Sequence, residues 1–153
     1  MSNLLWPRFD SALKDDMTDY RLDDQIGFIL RQVYQRHAVL FSDGLGDDLT
    51  PMQWAVLAKL AELGTSSQNL LGRLTAMDVA TVKGVVERLS RRGLIETAPD
   101  AEDRRRLVVS LSASGQALYA QLVARAAKVS HQTLAPLSEA ERDTLLGLLG
   151  KLR

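Results

Sequence analysis

The chain contains no cysteine, which excludes disulfide bonds, thiolate zinc sites, iron–sulfur clusters and cysteine nucleophiles. Histidine is scarce as well, and the two present, His37 and His131, show no metal-ligand spacing. No serine lies in a nucleophile elbow, and Gly44-Leu45-Gly46 lacks the flanking strand, the helix and the third glycine of a phosphate-binding loop. These absences predict that the protein is not an enzyme and uses no metal or other cofactor.

Long apolar runs are also missing. No window approaches the ~20 apolar residues of a transmembrane helix, and near the N-terminus Leu4 and Leu5 are soon followed by Pro7 and Arg8, unlike the apolar centre of a signal peptide. We therefore expect a cytoplasmic protein with no membrane partner. With 153 residues, 46% of them hydrophobic, the chain is long enough to bury one sizeable core.

The chain also lacks a net charge, since its 19 basic residues balance its 19 acidic ones. The chain-wide basic excess that is usual in DNA-binding domains is thus missing. The charges are unevenly distributed, however, because residues 1–50 hold five basic and nine acidic side chains (net −4), whereas residues 66–112 hold eight basic and six acidic ones (net +2). An acidic N-terminal region therefore offsets a basic segment, and neutrality does not exclude DNA.

Helical periodicity dominates what is present. The predicted helices span residues 23–41, 51–64, 68–74, 79–92, a long stretch from Ser112 or Ser114 to about residue 134, and a last stretch after Ser138. Residues 43–48, rich in glycine and aspartate, predict a loop. Two apolar-polar runs, 94–98 and 107–111, flank a charged tip and predict an antiparallel hairpin.

A short helix, a turn, a second helix and a hairpin follow one another in the order of a winged helix-turn-helix, whose second helix enters the major groove. The predicted fold is therefore mainly α with a small β-hairpin wing. Residues 1–49 would hold an N-terminal segment and the first platform helix, residues 50–112 the DNA-binding lobe, and residues 113–153 the C-terminal platform helices. Because the first and last helices are apolar on more than one side, each needs a second surface to cover it, such as that of a partner subunit.

The second helix of this unit carries small side chains beside basic ones, on the side away from its valines. Ala80, Thr81 and Gly84 permit close approach to base edges, and Lys83 can meet a phosphate or a guanine. Arg88 lies on the same side. An ordinary solvated helix face is the alternative interpretation of this pattern.

The tip of the hairpin carries Arg104, Arg105 and Arg106, and guanidinium groups suit the electronegative minor groove. Asp103 is placed to orient Arg105 through a bidentate pair. The same pair is also compatible with a salt bridge that only stiffens the turn.

Three stretches stand in order along the chain: Leu89-Ser90-Arg91-Arg92-Gly93-Leu94-Ile95, Asp100-Ala101-Glu102-Asp103-Arg104-Arg105 and Ser110-Leu111-Ser112-Ala113-Ser114-Gly115. Together they resemble the hallmark sequence of the MarR family (multiple antibiotic resistance regulators), and the resemblance extends from about Leu22 to the C-terminus. It implies a homodimeric repressor on pseudo-palindromic double-stranded DNA, with half-sites ~34 Å apart. It further implies that Arg105 enters the minor groove with support from Asp103, and that Arg73 contacts a phosphate.

The same resemblance implies a small phenolic or aromatic carboxylate effector in a crevice between the platform and the DNA-binding lobe. The predicted lining is Tyr34, His37 and Phe41 on one stripe of the first helix and Trp54 on the next helix. An imidazole in an aromatic crevice can recognise a carboxylate, whereas a histidine satisfied within the core is the alternative. Arg73-Leu74-Thr75-Ala76-Met77-Asp78 resembles the subgroup that represses nicotinic acid degradation genes, which implies a hydroxylated pyridine carboxylate such as hydroxynicotinate.

A helical protein-interaction or dimerisation module without DNA specificity is the rival hypothesis for the whole chain. It explains the apolar excess of the terminal helices. It does not explain why a helix with small side chains is followed by an arginine-tipped hairpin, so we predict a sequence-specific DNA-binding repressor.

Overall fold

The computed structural model describes residues 20–46, 48–101, 103–104 and 107–153. In chain order the elements are a 3-10 turn (Leu22–Asp24), helices α1 (Ile26–Leu45) and α2 (Pro51–Leu63), strand β1 (Thr65–Ser67), α3 (Gln68–Leu74), α4 (Val79–Arg91), β2 (Ile95–Pro99), β3 (Leu107–Leu111), α5 (Ala113–Thr133) and α6 (Glu139–Gly150). Residues Tyr34–Arg153 form one compact unit, and the chain before Tyr34 belongs to another. Among the described residues, no helix combines the length and the apolar character needed to cross a membrane.

Most helices begin at the residues that the sequence predicts. The Thr50 hydroxyl accepts from the Gln53 N–H at 3.2 Å, while the Gln53 side chain accepts from the Thr50 N–H at 3.0 Å. The same reciprocal capping box opens α6 at Ser138. Ser112, rather than Ser114, caps α5. These side chains satisfy N–H groups that have no partner within the helix, which is why the starts can be predicted locally.

Helix α1 does not have its predicted bounds. The 3-10 turn precedes it, and the helix continues through Asp43 and Gly44 to Leu45, where a loop was predicted. Glycine and aspartate disfavour helix, but Gly44 faces α5, and a Cβ at Gly44 would lie 2.5 Å from Cγ2 of Val129. The close packing of the two helices requires a residue without a side chain, so this tertiary contact overrides the local preference.

One face of α4 is buried in the core, as predicted. The residues of this face are Val82, Val85, Val86 and Leu89. Each fully buried valine or leucine contributes about 1.5–3 kcal/mol. Helix α5 adds Leu122 and Val129 to the same core, with Leu118 and Ala126 packed against it. The apolar face therefore fixes the rotation of α4 and leaves its opposite face on the surface.

The wing belongs to a sheet of three strands in the order β1-β3-β2, whereas the sequence predicts only two. Strands β2 and β3 pair antiparallel with Ile95 opposite Leu111. The additional strand, β1, pairs with β3 and places Ser66 opposite Val109. Three residues are too few to show an alternating pattern, so β1 has no signal of its own. Because Ser67 of β1 is also the N-cap of α3, the sheet fixes the start of the helix-turn-helix.

Candidate nucleic-acid interface

Helices α3 and α4 are joined by a tight turn over residues 75–78. Ala76 has φ 53°, a left-handed conformation that is uncommon outside glycine. The Met77 N–H donates to the Gly72 carbonyl at 2.8 Å. Gly72 is buried, and a Cβ there would lie 3.1 Å from the Met77 carbonyl oxygen and 3.3 Å from Cγ1 of Val82. The turn thus folds closely against α3 and sets the angle at which α4 leaves it.

Both ends of α4 are capped. At its start, the Asp78 carboxylate accepts from the Thr81 N–H at 2.7 Å, and this hydrogen bond lowers the pKa of Asp78 below its ordinary value. At its end, Gly93 has φ 68°, and the Leu94 N–H donates to the Leu89 carbonyl at 3.0 Å. This arrangement is a Schellman motif, which stops the helix at a defined residue.

The exposed face of α4 brings together the residues predicted to contact DNA. Ala80 and Lys83 are exposed, and Thr81 and Gly84 are half-exposed beside them. The Arg88 guanidinium folds back towards Gly84, since a Cβ at Gly84 would lie 3.4 Å from Nη1 of Arg88. Small side chains on this face are therefore bordered by two basic ones. Arg73, also predicted, is exposed in the last turn of α3.

A groove of about 360 Å³ separates α4 from the wing. Its lining is Gln68, Lys83, Val86, Glu87, Ser90, Arg91, Thr97 and Leu107. Lys83 is a predicted contact, whereas Gln68, Arg91 and Thr97 are not among the predicted ones. Arg91 lies one turn after Glu87 on the same helix, so helical spacing could have identified it. Gln68 and Thr97 come from other elements, and only the tertiary structure brings them to this groove.

The tip of the wing is described in part. Asp103 is half-buried and Arg104 is exposed. Arg105 and Arg106 lie outside the described residues. The predicted support of Arg105 by Asp103, and the entry of Arg105 into the minor groove, therefore stay predictions.

Three basic side chains of this surface, Arg73, Lys83 and Arg88, form no ion pair with another described residue. Within residues 20–46, 48–101, 103–104 and 107–153, the one ion pair joins Lys59 to Glu62 on α2. The described carboxylates therefore form no ion pair with Arg73, Lys83 or Arg88. Exposed cations that form no such ion pair are suited to phosphate contacts, which release counterions from DNA.

A second, wider recess lies at the C-terminal end of α4. Its volume is about 640 Å³, and its lining is Asp48, Gln53, Arg88, Arg91 and Arg92. The Arg92 guanidinium donates to the backbone carbonyl of Asp48. The end of α4 is thus attached to the segment that precedes α2.

His37 and Phe41, two of the residues predicted to bind an effector, lie together where α1 meets α5. His37 is half-buried, and its Nδ1 lies 2.9 Å from the Thr133 hydroxyl. The centre of its ring is 6.5 Å from that of Phe41, which is buried. Arg36 donates to the Thr133 carbonyl at 2.8 Å and to the Gln132 carbonyl at 3.4 Å. The end of α5 is therefore capped by side chains of α1.

Tyr34 and Trp54, the other two predicted effector residues, have different surroundings. Tyr34 is 53% exposed. Trp54 is half-buried and stacks on Tyr119 of α5 with ring centres 5.4 Å apart. The structure thus pairs His37 with Phe41 and Trp54 with Tyr119, and Tyr34 belongs to neither of these two aromatic pairs.

The sequence and the fold both match characterised transcriptional regulators. Residues 47–106 match the MarR family. The HTH-type transcriptional repressor NicR of Pseudomonas putida is 40% identical over 138 residues, which are 90% of this chain and 87% of NicR. Among solved structures, a probable transcriptional regulator from Pseudomonas aeruginosa is 59% identical with a TM-score of 0.82, and the match covers 87% of this chain and all of that one (100%).

BpsR of Bordetella bronchiseptica, solved to describe how 6-hydroxynicotinic acid regulates its DNA binding, is 37% identical with a TM-score of 0.83, over 88% of this chain and 96% of BpsR. These similarities confirm the predicted family and the predicted fold class. The helix-turn-helix of α3 and α4, the wing and these relatives together establish that the chain is a winged helix-turn-helix transcriptional regulator of the MarR family.

Proposed function

We propose that the protein is a homodimeric repressor that binds a pseudo-palindromic operator and releases it on binding a hydroxylated pyridine carboxylate such as 6-hydroxynicotinate. In this proposal residues 50–112 form the DNA-binding lobe, and residues 1–49 and 113–153 form the dimer platform. The observation that carries the DNA-binding part is the exposed face of α4, where small side chains are bordered by Lys83 and Arg88.

DNA recognition follows from the shape and charge of this face. Ala80, Thr81 and Gly84 allow α4 to approach base edges in the major groove, and Lys83 then reaches a guanine or a phosphate. Arg73 and Arg88 contact phosphates on either side. Arg104 and Arg105 extend from the wing towards the adjacent minor groove, with Asp103 orienting Arg105. In this arrangement the phosphate contacts supply most of the affinity for DNA, and the contacts of α4 with base edges supply the specificity for the operator sequence.

Dimerisation is supported by apolar side chains that the described chain leaves exposed. These are Leu146, Leu148 and Leu149 on α6, and Leu152 just after it, which is 75% exposed. Helix α1 separately exposes Ile26, Leu30 and Val33. Burying one leucine side chain contributes about 1.5–3 kcal/mol. A second copy related by a two-fold axis would cover such surfaces and present two copies of α4 to the two halves of a palindrome.

Effector control is supported by the relatives and by the attachments of α5. NicR is named a repressor, and BpsR is regulated by 6-hydroxynicotinic acid. In this chain the C-terminal end of α5 meets His37 of α1, while at its N-terminal end the Ser112 hydroxyl donates to the Gly93 carbonyl at 2.6 Å, directly after α4. An effector that changes the contact between α1 and α5 therefore acts on a helix attached to the recognition helix. By linkage, an effector that prefers the altered arrangement weakens DNA binding.

The DNA-binding part is tested by fluorescence anisotropy with duplexes from the protein's own upstream region, across a salt series. Lys83→Ala should weaken specific binding by about tenfold and lower the salt slope by about one. Lys151→Ala, at the exposed end of α6, is the matched control and should bind like the wild type. Arg105→Ala should also weaken binding more than Arg125→Ala on α5. The proposal is wrong if no salt-dependent specific complex forms.

The effector part is tested by adding 6-hydroxynicotinate to the preformed DNA complex. The wild type should release DNA. His37→Ala should retain DNA affinity while losing this release, because the imidazole is placed in the α1–α5 contact rather than on the DNA-facing surface. Unchanged release by His37→Ala would identify His37 as a core residue only.

A further inference from the structure

A recess of about 300 Å³ lies between the C-terminal turns of α1 and the middle of α5. Its lining is Leu40, Asp43, Gly44, Arg125, Lys128 and Gln132. The α1 residues are spaced by three and four positions, and the α5 residues by three and four, so each helix presents one face to it. Gly44 lets the end of α1 pack closely on Val129 of α5, which brings the two lining faces near each other. Leu40 is half-buried, whereas the polar residues of the lining, Asp43, Arg125, Lys128 and Gln132, are exposed.

The described residues that line the recess carry two basic side chains and one acidic one. Arg125 and Lys128 come from α5, and the one carboxylate among the described lining residues is that of Asp43 on α1. The ion pair found in the described part of the chain joins other residues, Lys59 and Glu62. Two like charges three positions apart on a helix repel each other. An anion bound between them would relieve this repulsion and gain two charge-assisted hydrogen bonds.

One end of the recess adjoins the polar contact that His37 makes. Gln132, part of the lining, has its carbonyl bonded to Arg36, and the next residue, Thr133, contacts His37 Nδ1 at 2.9 Å. His37 itself precedes Leu40 by one turn of α1. A ligand in the recess would therefore lie next to the group already proposed to act in effector control.

We propose that this recess binds the carboxylate effector. The ligand's carboxylate pairs with Arg125 and Lys128, its ring lies over Leu40 and Gly44, and a ring hydroxyl or N–H donates to Asp43. The volume of about 300 Å³ is at the lower end of the range for small-molecule sites, which suits a single substituted ring. The Asp43 carboxylate accepts a hydrogen bond that an unsubstituted ring cannot donate, and so selects hydroxylated rings.

This assignment rests on the proposed function, but it assigns effector binding to residues other than those that the sequence predicts. The anion is held by two side chains of α5 that the sequence does not single out as ligand contacts, and His37 borders the site instead of holding the carboxylate. Trp54, stacked on Tyr119, takes no part. Since α5 is bonded at its start to the end of α4, binding at Arg125 and Lys128 acts directly on the helix that reaches the recognition helix.

The test is isothermal titration calorimetry of the full chain with 6-hydroxynicotinate and with nicotinate. Arg125→Gln and Lys128→Gln should each weaken 6-hydroxynicotinate binding by at least about tenfold, the loss of one charge-assisted hydrogen bond. Both should keep the wild-type affinity for operator DNA. Lys151→Gln, which changes the net charge equally outside the recess, should bind the ligand like the wild type. Asp43→Asn should reduce the preference for 6-hydroxynicotinate over nicotinate.

Two negative results have different meanings. If the wild type binds 6-hydroxynicotinate and both α5 variants bind it equally well, this site is wrong while the effector assignment stands. If the wild type binds operator DNA but not 6-hydroxynicotinate, the effector and this site are both wrong, and the DNA-binding function stands. Thermal unfolding of each variant establishes that a loss of binding does not reflect a loss of fold.

Discussion

Replacing Gly115 with alanine should destabilise the protein, although alanine is the better helix former. Gly115 is buried in the first turn of α5, and a Cβ there would overlap the Leu94 carbonyl oxygen and lie 3.4 Å from Cδ2 of Leu111. Leu94 cannot move freely, because its carbonyl accepts from the Ser112 N–H at 3.1 Å and its N–H donates to the Leu89 carbonyl at 3.0 Å. The start of α5 must therefore move away from the end of α4.

The magnitude follows from opposing contributions. Helix propensity favours alanine over glycine by about 1 kcal/mol. Overpacking costs about 1–3 kcal/mol, and the shift weakens two hydrogen bonds of Ser112, to Leu94 and to Gly93, each contributing about 1 kcal/mol. The free energy of unfolding should fall by about 2–4 kcal/mol. For a chain of this size that corresponds to a decrease in Tm of roughly 4–16 °C.

The assay is urea and thermal unfolding at one fixed protein concentration. Gly147→Ala is the matched control, since Gly147 lies within α6, on the side away from Leu145 and Leu149, and a Cβ there meets nothing within 4 Å. It should stabilise the protein by about 0.5–1 kcal/mol. If Gly115→Ala stabilises the protein as Gly147→Ala does, the close contact between α5 and Leu94 does not constrain the fold.

Three further outcomes are expected. Gly84→Leu should keep or slightly raise Tm, because a side chain there displaces only the flexible end of Arg88, but should weaken operator binding by at least about tenfold. The hydrogen bond from the Thr81 N–H lowers the pKa of Asp78, so the ionised carboxylate stabilises the fold at neutral pH and this stabilisation is lost as the pH falls through the lowered pKa. Asp78→Asn keeps a capping oxygen but does not titrate. Its free energy of unfolding in urea should therefore fall less than that of the wild type between about pH 7 and about pH 3. Leu149→Asp should shift the protein towards monomer in sedimentation experiments, whereas an unchanged sedimentation coefficient would place the dimer contact elsewhere.

Much of the DNA-facing site is local in sequence and was therefore predictable. Asp78 caps α4 two residues before Ala80, and the valines of one α4 face imply that Lys83 and Gly84 lie on the other. Helical periodicity converts such spacing directly into faces. The partners of the predicted effector residues were not predictable in this way, because Thr133 is 96 positions from His37 along the chain.

The sequence by itself determined the order of the helices, the capped starts of α2, α4 and α6, the helix-turn-helix with its wing, and the face of α4 that carries small and basic side chains. Each of these depends on residues within about one or two turns of each other. Only the tertiary structure decided that β1 joins the sheet, that α1 continues through Gly44, and that Gly115 contacts Leu94. It likewise decided that Arg125 and Lys128 share a recess with Asp43. These features depend on the packing of distant segments, which local propensity and spacing do not encode.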